Sequence, residues 1–137
     1  MNRAIVCLFC GAVLLAQTQQ QFRTRLAPVA INAAMQLIIA GRGSATATLD
    51  GNKLSIHGTF EGLRSRATEA HLRLSPVTGV PGRAVFELKV TKALSGTVEG
   101  SFDLTPAQVE ALKKGKFYIQ IASEKAPGGN LWGWLLR

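Results

Sequence analysis

The segment ATEAHLRLSP, residues 67–76, contains one of the two histidines of the chain and alternates in the manner of a β-strand. Alternation places His71 and Arg73 on one face of this strand and the intervening apolar residues on the other. Two histidines at this spacing would direct both rings at a single metal ion. The second position is instead arginine, which cannot ligate a cation. We therefore predict that this is the polar face of a strand.

A catalytic zinc or copper centre needs three or more ligands from histidine, cysteine or carboxylate side chains. The two histidines are His57 and His71. Both are predicted to face outward, and they could face each other if their strands were neighbours. A third ligand would have to be Glu61 or Glu69, and Arg73 would place a positive charge beside the ion. The sequence therefore predicts no metal and no other cofactor, with His57 and His71 as the alternative ligand pair.

The sequence lacks the motifs of other common kinds of catalysis. Neither histidine accompanies a Gly-x-Ser-x-Gly segment, and no closely spaced carboxylate pair suggests glycosidase chemistry. The segment APGGN, residues 126–130, is rich in glycine but precedes no predicted helix, so it does not resemble a phosphate-binding loop. The sequence favours a protein without catalytic activity.

Trp132 and Trp134 are spaced by two and are predicted to project from one face of the last strand. If that face is outward, the two rings form a platform able to stack on sugars, bases or the apolar surface of a partner. If it is inward, they cap the core or seal an edge of the sheet. Both alternatives stay open at the level of sequence.

The chain has 16 Lys and Arg against 8 Asp and Glu. An excess of this kind favours contact with anions such as nucleic acid, anionic lipid or acidic polysaccharide, and solubility alone is the simpler explanation. Arg64, Arg66 and Arg73 are predicted to gather near one end of the fold as an anion-binding patch. Dispersed surface charge is the alternative.

The first 18 residues are predicted to be a signal peptide. Arg3 precedes an apolar run, residues 4–16, which is shorter than the roughly 20 residues that span a bilayer. Both cysteines, Cys7 and Cys10, lie inside this run, so the mature chain, residues 19–137, would contain neither a disulfide nor a thiolate ligand. We expect a secreted, periplasmic or cell-envelope protein with no transmembrane span after signal removal.

The mature chain has the pattern of short strands. Residues 22–26 are a candidate first strand, and the apolar stretch after them fits either a short helix or an extended segment. Two alternating runs flank the turn at residues 50–52, which predicts a β-hairpin. Four further strands are predicted in the segments ATEAHLRL, RAVFELKV, SGTVEGSFDL and KFYIQIAS, and another in LWGWLLR.

One helix interrupts these strands. Thr105 is the predicted N-cap, Pro106 the first helical residue, Gln108 the partner in a capping box and Gly115 the C-terminal stop. Strands of this length with one-sided alternation indicate an antiparallel sandwich or barrel in a single domain. We expect a sandwich of seven to nine strands.

Several segments, in this order, resemble a CHRD domain, the module named for chordin: GTFEGLRSRATEAHLRL, VPGRAVFEL, SGTVEGSFDLT, LKKGKFYIQIAS and APGGNLWGWL. The resemblance covers residues 22–136. It implies an all-β, antiparallel, immunoglobulin-like or superoxide-dismutase-like β-sandwich with one short helix, an extracytoplasmic location and no established catalytic activity. The strand leading to His71 is also distantly similar to the copper-binding strand of copper-zinc superoxide dismutases.

The chain departs from the family pattern at three polar positions. Family members typically have Ala-His-Ile-His, Val-His-Thr and Gly-Glu-Ile-Arg-Gly where this chain has residues 70–73, 121–123 and 129–133. Histidines, an acid and an arginine are thereby replaced with Arg, Ala, Asn and Trp. These replacements weaken any metal or proton-transfer role that the resemblance would imply.

Two classes of function follow from the sequence. The first is a non-catalytic secreted or envelope CHRD module that binds a protein or an acidic polysaccharide, without specific binding of nucleic acid. The alternative is a metal-dependent enzyme of the copper-zinc superoxide dismutase type with a degenerate site. The candidate binding residues are Arg64, Arg66, His71, Arg73, Trp132 and Trp134.

Overall fold

The computed structural model describes residues 19–29 and 32–137. The predicted signal peptide, with both cysteines, lies outside the described residues. Eight strands are present in these ranges: β1 (Gln20–Pro28), β2 (Arg42–Asp50), β3 (Lys53–Glu61), β4 (Ala67–Leu74), β5 (Arg83–Val90), β6 (Gly96–Asp103), β7 (Phe117–Ser123) and β8 (Leu131–Trp134). The helix α1 (Pro106–Lys113) joins β6 to β7, and a single 3-10 turn (Met35–Leu37) lies between β1 and β2.

The strands close into an antiparallel barrel in the order β1-β2-β3-β6-β5-β4-β7-β8. The all-β antiparallel class with one short helix, predicted from the sequence, is confirmed. The hairpin around residues 50–52 is also confirmed, because β2 and β3 pair along their full lengths from Arg42 with Glu61 to Asp50 with Lys53.

The structure is a closed barrel and not the sandwich that the sequence predicted, because both pairs of sheet edges are joined. β5 pairs with β6 through Lys89–Glu99 and Val90–Val98, and β1 pairs with β8 at residues 27–28. Each of these two seams is short, so the barrel consists of two well-paired groups of four strands. Joining their edges removes unpaired backbone groups from the surface. Alternation of apolar residues is the same in sandwiches and barrels, so the sequence did not distinguish them.

The core fills the barrel with the inward side chain of every second residue. β3 shows this most regularly, since exposed and buried residues alternate along all of its length. β7 differs, because all of its residues are buried. Its outward side chains must therefore be covered by other parts of the chain that pack on the outer face of β7.

The helix closes one end of the barrel and begins as predicted. The Thr105 side chain accepts a hydrogen bond from the Gln108 amide, and the Gln108 side chain accepts one from the Thr105 amide. Leu112 faces the core. Gly115 ends the helix with φ +71°, a conformation that glycine adopts without a steric penalty.

The opposite end of the barrel, here called the loop end, is formed by the segments 32–41, 62–66, 91–95 and 124–130. The Leu63 amide donates to the Leu94 carbonyl, and the Lys125 amide donates to the Ser65 hydroxyl. The loops at this end are thus held together by hydrogen bonds. In the described part of the chain, every helix is too short or too polar to cross a membrane.

Candidate functional site

The outer face of β4 contains both polar residues that the sequence singled out. His71 lies opposite Glu87 on β5 and Gln120 on β7, and Arg73 lies opposite Tyr118. The prediction that the two share the polar face of a strand is confirmed. Both side chains are nevertheless half-buried, because the outer face of this part of the barrel is partly covered.

The guanidinium of Arg73 binds the loop that follows β4. Nε and Nη2 both donate to the Gly82 carbonyl, at 3.0 and 2.6 Å, and Nε also donates to the Tyr118 hydroxyl at 3.0 Å. The same hydroxyl accepts from the Gly82 amide at 2.8 Å. Arg73 therefore fixes residues 75–82 against the sheet, and much of its hydrogen-bonding capacity is used within the protein.

Both tryptophans point outward, and two loops contact them: the loop after β4 at Trp134 and the loop before β8 at Trp132. Tyr118 stacks on Trp132 and on Trp134, with ring centroids 5.6 and 4.6 Å apart. Trp132 is only 5% exposed, and Trp134 is half-buried with its Nε1 donating to the Ser75 hydroxyl at 2.9 Å. The three rings form a small apolar cluster outside the barrel. This arrangement combines parts of the two sequence-based alternatives: the face is outward, yet it offers no open aromatic platform.

The loop between β7 and β8 approaches the rings closely at Gly129. Its φ is +126°, and a methyl group at this position would overlap the indole of Trp132 and the amide of Gln120. The Gln120 side chain donates in turn to the Gly128 carbonyl at 3.0 Å. These contacts explain why the outward residues of β7 are buried.

The two histidines are not neighbours, so they do not face each other across adjacent strands as the alternative metal site would require. β6 and β5 separate β3 from β4, which places His57 and His71 three strand spacings apart, about 14 Å. The cross-strand neighbours of His57 are Thr46 and Glu99. Of the other candidate ligands, Glu61 forms an ion pair with Arg42, with 2.6 Å between Glu61 Oε1 and Arg42 Nε. Residues 19–29 and 32–137 contain no group of three His, Cys, Asp or Glu side chains placed to hold a metal ion.

Two of the three arginines considered for an anion-binding patch lie at the loop end, and the third, Arg73, does not. Arg64 and Arg66 lie in the loop before β4, whereas Arg73 lies near the far end of that strand. Seven residues of extended chain separate Arg66 from Arg73, about 23 Å. Alternation predicts which face of the strand Arg73 occupies. It does not predict how far Arg73 lies from Arg64 and Arg66 along the strand.

Two lysines that the sequence analysis did not select accompany Arg64 and Arg66 at the loop end. The Ala67 amide donates to the Ala93 carbonyl, next to Lys92, and the Glu124 amide donates to the Arg66 carbonyl, next to Lys125. All four basic side chains are exposed. Among the described residues, Arg42 and Glu61 form the only ion pair, so no carboxylate lies within ion-pair distance of these four.

We call Arg64, Arg66, Lys92 and Lys125 the loop-end basic cluster. Its members come from three loops that are distant in sequence, and each loop contributes at most two charges. Such a cluster forms no run of basic residues in the sequence. Counting the strands would have been informative, because alternate connections of an antiparallel fold meet at the same end.

The fold and this site define a class of protein: a small antiparallel β-barrel module with a basic cluster in the loops at one end. A model of the CHRD domain matches residues 22–135, which is most of the chain, and the chain belongs to that family. No curated protein and no solved structure matches the chain.

Proposed function

We propose that this CHRD protein is a non-catalytic, extracytoplasmic module that binds an acidic polysaccharide through the loop-end basic cluster. The observation on which the proposal rests is the position of four exposed basic residues on loops that backbone hydrogen bonds hold together at one end of the barrel. Membership of the CHRD family supports a binding or structural role. The signal-peptide pattern of residues 1–18 supports export.

The charge distribution of the cluster favours a polymeric ligand. The four basic residues outnumber the adjacent acid Glu124, and a polyanion that follows the surface can contact the excess positive charge at several points. Each exposed contact contributes at most about 1 kcal/mol, so useful affinity requires several contacts along one chain. Such binding is weakened by salt, because the Debye length is about 8 Å at physiological ionic strength.

The alternative function, a metal-dependent enzyme of the superoxide dismutase type, receives no support from the positions of the histidines. His57 and His71 lie on strands that are not neighbours. The position next to His71 on its face belongs to Arg73, which is bound to Gly82 and Tyr118. The binding module is therefore the function that the geometry favours.

Retention on immobilised heparin, measured at 50 mM and 500 mM salt, tests the proposal. We expect retention at the lower salt concentration only, and loss of that retention in the double variant Arg64→Gln/Arg66→Gln. The matched control is Lys113→Gln/Lys114→Gln, which removes the same charge from exposed residues at the helix end. Passage of the unaltered protein through the column at low salt, or equal loss in both double variants, would overturn the proposal.

A further inference from the structure

An open groove of about 660 Å³ crosses the outer face of β1, β2 and β3 next to the loop end. Its polar lining consists of Arg25, Arg42, Ser44, Thr59 and Glu61. None of these residues belongs to the loop-end basic cluster. The volume lies within the range of small-ligand sites, about 300–1,000 Å³.

The register of the sheet aligns three of the lining side chains in one row. Arg25 lies opposite Ser44, and Ser44 lies opposite Thr59. Since neighbouring strands are about 4.8 Å apart, one guanidinium and two hydroxyls face the same narrow strip of surface. Arg42 is two residues from Ser44 on β2 and is thus the diagonal neighbour of Arg25, at about 7–8 Å between Cα atoms.

The two arginines differ in how they are engaged. Among the described contacts, the side chain of Arg25 has no hydrogen-bond or ion-pair partner. Arg42 donates from Nε to Glu61 at 2.6 Å, and the two side chains are 80% and 58% exposed. An ion pair that is this exposed contributes little to stability. The terminal amino groups of Arg42 have no partner within the described residues.

We propose that this groove binds one carboxylate or sulfate group of an acidic sugar chain, with Arg25 and Arg42 as the charged donors. Ser44 and Thr59 provide hydroxyls for the sugar oxygens. Glu61 is the one acidic residue of the lining, and it opposes binding by lowering the positive charge of the groove. The inference rests on the proposed function and extends it, because the groove ends where the loop from Gly62 to Arg66 begins. One polymer chain can therefore contact the groove and the loop-end basic cluster together.

Titration of the purified protein with sodium sulfate and, separately, with sodium glucuronate tests the groove alone. Sodium chloride at equal ionic strength is the reference, and backbone amide chemical shifts are the measurement. We expect saturable shifts for residues 43–45 and 59–61 with at least one of the two anions. The anion that binds more tightly identifies the source of the group, either a sulfate ester or a uronic acid.

Three variants determine whether the guanidiniums are responsible. Arg25→Gln should weaken binding about fivefold, the upper end for an exposed ion pair, because the groove is open to solvent. Glu61→Gln should tighten binding, since it removes the opposing charge. Arg83→Gln is the matched control, because it removes an exposed charge at the far end of the barrel and should leave the affinity unchanged.

Shifts that are absent or map elsewhere, equal weakening in Arg83→Gln, or weaker binding in Glu61→Gln would each overturn the inference. Arg25→Lys distinguishes loss of charge from misfolding. It keeps the charge at the same place and should retain most of the affinity. Failure here is distinct from failure of the proposed function. A protein that heparin retains, but whose groove does not respond to either anion, would contradict the groove alone.

Discussion

The hydroxyl of Tyr118 connects a loop to the sheet and offers a sharp test of the structure. The residue is fully buried. Its Oη accepts from the Gly82 amide at 2.8 Å and from Arg73 at 3.0 Å, and it donates to the Gly82 carbonyl at 3.2 Å. Tyr118→Phe removes these bonds while the ring keeps its stacking on the two tryptophans.

The expected loss of stability is about 2 kcal/mol. A partly buried amide left without an acceptor costs about 1–3 kcal/mol, and the Arg73 guanidinium keeps its bonds to the Gly82 carbonyl. For a domain of this size, that loss lowers Tm by roughly 6–8 °C. The loop of residues 75–82 should also open more often, because the hydroxyl no longer holds it.

Urea unfolding and limited proteolysis with elastase measure both effects. Elastase should cut the variant faster at the exposed Val77 and Val80. Ser101→Ala is the control, since it removes an exposed hydroxyl with no described side-chain partner and should change stability by less than about 0.5 kcal/mol. A Tyr118→Phe variant as stable as the parent, with unchanged proteolysis of the loop, would refute the role assigned to the hydroxyl.

Two further predictions concern the covered face and the histidines. Gly129→Ala should destabilise the protein by about 2–4 kcal/mol and alter the near-ultraviolet circular dichroism of the tryptophans, because a methyl group would overlap Trp132 at a positive φ. Gly128→Ala, which meets no atom within 4 Å, should leave both measurements unchanged, and equal effects of the two substitutions would contradict this account. Metal analysis of the purified protein should find copper and zinc far below one equivalent, in the parent and in His71→Ala alike. Stoichiometric metal that is lost in His71→Ala would restore the enzyme hypothesis.

The individual elements could be predicted closely because each depends on local pattern. The boundaries expected for β4 and β5 agree with the structure, and so does the capping box at Thr105. Ring closure could not be predicted, since it depends on pairing between β1 and β8, at opposite ends of the described chain. No local pattern distinguishes a strand that pairs on both sides from one at an open edge.

The candidate site was predicted less well, for a related reason. His71 and Arg73 were correctly placed on one face because residues two apart in a strand must share it. The distance from Arg66 to Arg73, and the approach of Lys92 and Lys125 to Arg66, depend on how loops meet across the barrel. The burial of Trp132 depends on a loop that folds back over an outward face. Such contacts join segments that are remote in sequence.

The seam between β1 and β8 also has a consequence for the order in which the chain can fold. β1 (Gln20–Pro28) is the first strand of the described chain to be synthesised, and the partner that completes its second side, β8 (Leu131–Trp134), is the last. The hairpin of β2 and β3 can form early, but the ring stays open until β8 has been synthesised. Non-local pairing of this kind gives β-rich domains folding times of milliseconds to seconds. Before β8 pairs, the intermediate has an unpaired edge at β1. An unpaired strand edge makes this intermediate prone to aggregation.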